Sequence, residues 1–212
     1  MAHHLRYLLQ CYFHEDWYED APTWDGVVRF FVEVEPDIDE LVRALGELTI
    51  VEHSQFAAGE RMYEVYIFAF WPFPLMPMRE WLVGVRDELA VTMRWERRLP
   101  AESASDLEQL LERHGVRRSA SDADLHDQMR RLGDELSLDL VITLLAEISL
   151  LDAKESIDVE QRERIRSTRA ALAQHVVARW EAEQLASPHM REPEAVDDPL
   201  TGGPTDPGGG LV

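Results

Sequence analysis

His3–Asp20 reads HHLRYLLQCYFHEDWYED, and its spacing decides the fold class. Leu5, Leu8, Leu9, Tyr12 and Phe13 fall at the i, i+3, i+4, i+7 and i+8 positions of one helical face. The pattern predicts a helix over 3–20, ended by Pro22, which disfavours helix at Ala21. Inside it, CYFHEDW (Cys11–Trp17) crowds a thiol, an imidazole, two carboxylates and three aromatics together. A metal site does not follow. His14, Glu15 and Asp16 are consecutive, and helical neighbours at i+1 and i+2 point to different sides. The helical ligand spacings HExxH and ExxH are both absent from the chain. Catalysis does not follow either. His14 could touch Cys11 at i+3, but no oxyanion device accompanies the pair, and a lone thiol on an apolar face reads as a small core residue. The structural reading puts Tyr12, Phe13 and Trp17 on the buried face or its flank and Glu15, Asp16, Glu19 and Asp20 outside.

Further helices follow in both directions of the same logic. Trp24–Val34 is a second, stopped by Pro36. A third opens at Asp37, where Glu40 three residues on suggests a capping box, and carries Ile38, Leu41, Val42, Leu45 and Leu48 as its stripe. YEVYIFAF, within 60–71, is apolar on both alternating faces, so its periodicity leaves helix and strand open; its helical surroundings favour a buried helix. A helix from about Met78 places Trp81, Leu82, Val85, Leu89 and Met93 inward. Ser105 with Glu108 suggests another capping box, and Gly115 a stop, for a short helix over 106–114. Ser121 opens a helix with Leu125, Met129 and Leu132 on one side. LSLDLVITLLAEISLL is the most apolar helix of the second half, and Asp158 with Gln161 caps a long charged helix with Ile165, Leu172, Val176 and Trp180 as a thin stripe. The expected fold is all-α: a helical region over 1–98, a helical extension over 99–186, and a Pro-, Gly- and Asp-rich disordered tail over 187–212.

Composition narrows the function. The 212 residues carry a net charge of −20, which repels nucleic acid and anionic lipid and suits a basic protein partner. The single cysteine excludes an internal disulfide. The start of the chain lacks the apolar core of a signal peptide. The most apolar run, Met62–Met78, holds Glu64, Pro72, Pro74 and Pro77 and is too broken to span a bilayer. A cytoplasmic location is the expectation. No phosphate loop, nucleophile elbow or zinc spacing occurs, so no catalytic, cofactor or metal site is expected.

LLQCYFHEDW, followed downstream by REWLVGVRDEL, resembles a family of contact-dependent growth inhibition immunity proteins. Tyr12, Phe13, His14, Asp16 and Trp17 match the family's YFHQDW-like run, with Glu15 in place of the common glutamine. Arg79, Glu80, Trp81 and Leu82 match its REWL-like helix. The resemblance covers residues 1–98. It implies an immunity protein that binds the toxin domain of a polymorphic toxin in the cytoplasm and blocks it without chemistry. Many such toxins are basic nucleases. Thirteen carboxylates against two arginines between Tyr12 and Glu60 agree with that partner. Glu15, Glu19 and Asp20, and Asp37, Asp39 and Glu40, are the expected contact residues. The alternative is a helical adaptor, with residues 105–185 as a helix-pairing module.

Overall fold

The computed structural model describes residues 3–13, 16–54, 77–100, 104–116 and 122–186. Segment 60–71 and the tail 187–212 lie outside them. All regular structure among the described residues is helical, as the periodicity requires: α1 His3–Tyr12, α2 Trp17–Asp20, α3 Trp24–Val34, α4 Ile38–Val51, α5 Met78–Trp95, α6 Leu107–Arg113, α7 Asp122–Glu135, α8 Leu138–Asp152 and α9 Val159–Ala186.

Helix α4 is the hub. Helices α1, α5, α8 and α9 all pack on it, α3 packs on α5, α6 on α8, and α7 on α9. Residues from both halves therefore enter one contiguous apolar core, from Leu5 and Phe13 to Val176 and Trp180. The last eleven residues of α4 are buried save Arg43, so its polar-looking positions Glu47 and Thr49 are interior as well. A helix buried all round needs small residues where backbones cross. Gly46 is that residue: a Cβ there would stand 2.1 Å from the Ile142 carbonyl oxygen of α8. Near the crossing the Thr49 and Ser149 hydroxyls meet at 3.1 Å.

The ends of these helices are joined by buried charge. Asp152, closing α8, accepts from Arg166 (3.1 Å) and Arg169 (3.0 Å) of α9. Arg86 of α5, itself buried, pairs with Asp87 and with Glu52 just past α4. Removing one partner of such a set strands the other in low dielectric.

Several local expectations need correction. The predicted helix over 3–20 is two helices, because the break between Tyr12 and Trp17 lets α1 lie on α4 while α2 lies on α3. Cys11 is exposed and not a core residue. At α4 Asp37 caps the helix but the capping box does not form. Asp37 accepts from the Asp39 N–H (2.9 Å), but the Asp37 N–H goes to Glu35 Oε1 (3.0 Å), and Glu40 turns to His4 instead. The cap of α6 is Asp106, not Ser105: its carboxylate takes the Gln109 N–H (2.8 Å), while Gln109 Oε1 takes the Ser105 N–H (2.7 Å). The stop at Gly115 holds. Its φ is +76°, and the Val116 N–H reaches back to Leu111 O (3.0 Å), the closure that a left-handed residue permits.

Candidate functional site

The two sequence motifs meet in the core. Phe13, Trp17, Trp81 and Leu82 are all buried. The Phe13 ring stands edge-on to Trp81 at 5.1 Å and 87°, and lies 6.2 Å from Trp17. Trp17 and Trp81 are thus joined through Phe13. Edge-to-face pairs of this kind add to the large apolar area these rings bury. Tyr12 is half-buried against Phe31 (4.7 Å), Tyr7 (5.9 Å) and Phe30 (6.2 Å). Burial, aided by the hydrogen bond to Tyr7, raises its phenol well above the ordinary range. Asp16, at the N-cap of α2, is exposed and makes no side-chain cap bond. Arg79 and Glu80 are exposed on the first turn of α5. His14 and Glu15 lie outside the described residues. Among the described residues the motifs are mostly packing, and Asp16, Arg79 and Glu80 present charge.

The carboxylates between Tyr12 and Glu60 divide sharply by environment. Glu35 and Glu47 are interior. Glu47 Oε2 takes the Leu5 N–H (2.7 Å), one of the donors that the first turn of α1 leaves without a helical partner. Burial pushes the Glu47 carboxyl up to about 8, so it holds α1 to α4 largely as a neutral group at pH 7. Glu40 Oε2 lies 2.6 Å from His4 Nδ1. Asp25 pairs with Arg29 (3.3 Å) and Glu52 with Arg86. Asp16, Glu19, Glu33, Asp37 and Asp39 are exposed. Of the six expected contact residues, Glu19, Asp37 and Asp39 present themselves and Glu40 is engaged. Glu15 and the Asp20 side chain lie outside the description.

Sequence reasoning missed the outer face of α3. Phe30 (41% exposed) and Val34 (43%) are one turn apart on it, beside Glu33 and with Tyr12 against Phe30. Asp37 and Asp39 follow directly after the helix. The signal was RFFVEV, whose doubled apolar residues exceed what one buried stripe can hold. An aromatic centre rimmed by carboxylates is suited to a basic protein surface: the apolar pair is desolvated on contact and the rim selects charge. Among the described residues no three His, Cys, Asp or Glu side chains are grouped to hold a metal ion, and no helix is long and apolar enough to cross a membrane.

Residues 1–89 match the family model described as CdiI immunity protein. The CdiI match begins with α1 and ends inside α5, so it contains both motifs, the hub helix α4 and the acidic α3 face. Helices α6 to α9 lie beyond it. No curated protein and no solved structure matches the chain.

Proposed function

We propose that the chain is a cytoplasmic immunity protein. It binds the toxin domain of a contact-dependent growth inhibition or related polymorphic toxin and neutralises it by occupancy, without turnover. The match of residues 1–89 to the CdiI immunity family carries this reading. The exposed carboxylates of the same segment support a basic partner. In this reading residues 1–98 recognise the toxin, and the helices after them brace α4 from behind. Phe30 and Val34 form the apolar centre of contact. Glu33, Asp37 and Asp39 form its charged rim and Glu19 of α2 adds to it, while Glu15 and Asp20 belong to the same acidic stretch of the sequence. Steering of this kind raises the association rate and leaves dissociation largely unchanged.

The test first looks in the neighbouring reading frame for a polymorphic toxin and co-expresses its C-terminal domain with this chain. The full chain protects cells expressing that domain; a Glu19→Lys/Asp37→Lys/Asp39→Lys variant protects poorly, and its association slows by tenfold or more at low salt, within the roughly 10–10³ range of electrostatic steering. If the variant associates as fast as wild type, the proposed surface is wrong. If the wild-type chain neither binds nor protects against that toxin domain, the immunity reading itself falls.

A further inference from the structure

A different surface concentrates the opposite charge. Where α5 ends and α8 gives way to α9, an open pocket of about 800 Å³ is lined by Val91, Arg94, Trp95, Arg97, Lys154 and Arg162, with Glu155 at its wall. Four cations meet there in a chain with 21 basic and 41 acidic residues. Arg94 donates to the Leu150 carbonyl (3.2 Å), Arg162 to the Lys154 carbonyl (3.0 Å), and Lys154 to the Ser105 carbonyl. These bonds hold three of the four cations in position without supplying an opposite full charge. Burial and the Arg94 charge lower the Lys154 ammonium below its ordinary range, with Asp106 pulling the other way.

Two further features set the pocket apart. Trp95 is 78% exposed and Val91, one turn earlier, 48%. An indole left this bare loses the burial that usually fixes a tryptophan. Arg97 has φ +57°. It stands at the position after the α5 cap, where the Arg98 N–H returns to Met93 O (2.8 Å) and the Arg97 N–H to Arg94 O (3.1 Å). Glycine takes this place without cost, and a side chain there is strained. An arginine kept in a strained conformation at a cationic mouth fits a binding role better than a packing one.

A flat aromatic beside converging guanidinium and ammonium groups has the chemistry to stack a base and grip phosphate oxygens. We propose that this pocket binds a nucleoside di- or triphosphate, with Trp95 against the base and Arg97, Lys154 and Arg162 on the phosphates. The overall negative field opposes a long polyanion far more than a single nucleotide, which favours the mononucleotide. The inference is independent of toxin binding.

Calorimetry on the full chain with ATP and GTP tests it, with tripolyphosphate, adenosine and hexaglutamate as comparison probes. Either nucleotide binds more tightly than tripolyphosphate, and its affinity falls as salt rises. Trp95→Ala weakens nucleotide binding about tenfold, within the range of a lost base stack, and leaves tripolyphosphate binding unchanged. Arg97→Gly weakens both while its thermal midpoint stays level or rises. Absence of nucleotide binding at millimolar concentration would overturn the proposal. So would equal binding of tripolyphosphate, tighter binding of hexaglutamate, or wild-type nucleotide affinity in both variants.

Discussion

Gly46→Ala tests how the two halves of the chain are joined. In an isolated helix the change is favourable by about 1 kcal/mol, because alanine orders the unfolded chain and suits the helix interior. Here the new methyl would sit 2.1 Å from the Ile142 carbonyl oxygen and 2.8 Å from its carbonyl carbon. A comfortable carbon–oxygen approach is about 3.3 Å, so α4 and α8 must part by roughly 1 Å at their crossing. The obstacle is backbone and cannot rotate away. Overpacking of this type costs about 3 kcal/mol at the upper end of its usual range. Loosening the Thr49–Ser149 contact nearby costs about 1 kcal/mol more. Set against the helix-propensity gain, the net loss is about 3 kcal/mol. Gly84→Ala is the control. The nearest atoms to its Cβ are the edge of the Trp24 indole, at 3.0 Å, which can shift, so that variant stays within about 1 kcal/mol of wild type. Urea unfolding followed by far-UV circular dichroism gives both values. A Gly46→Ala protein as stable as wild type or more so would mean that α4 and α8 do not cross this closely.

Three other outcomes follow from the packing and charge. Phe13→Ala, which empties the space between Trp17 and Trp81, destabilises by about 3–5 kcal/mol in urea unfolding; a near-neutral effect would dissociate the two motifs from the core. Glu47 is protonated in the fold up to about pH 8 but only to the ordinary glutamate range when unfolded. The folded state therefore binds the extra proton between those values, and stability falls as pH rises through that window. Glu47→Gln keeps the Leu5 acceptor and removes this slope, so its advantage over wild type grows from pH 5 to pH 9; parallel profiles would refute the assignment. Arg97→Gly relieves a left-handed arginine and stabilises by about 1 kcal/mol in thermal unfolding, and a loss would show that the side chain packs.

Much of the architecture was written in the spacing of apolar residues. The end of α3 follows from Pro36, and Trp81, Leu82, Val85, Leu89 and Met93 are buried as their stripe predicts. The break after Tyr12 was not legible, since Phe13 and Trp17 keep a helical i, i+4 relation across it. Nor was the second buried face of α4. Ala44, Gly46, Glu47 and Thr49 look like a solvent side until α1 and α8 cover them. A carboxylate run also cannot show which members face inward. Glu47 meets the N-terminal turn of α1, a partner 42 residues away in the chain.

The central position of α4 has a consequence during synthesis. Translation completes α4 at Val51, but α8, its principal neighbour, is finished only at Asp152. At about 5–20 residues per second the ribosome needs roughly 5–20 s to add the intervening residues. For that interval the Gly46 and Thr49 side of α4 has no α8 to meet, and it is open to chaperone capture or to pairing with another nascent chain. The folded state is thus limited in its readiness by α8 and α9, and rare codons or truncations in that distal region would cost folded protein without altering the exposed carboxylates Glu19, Glu33 and Asp39 of α2 to α4.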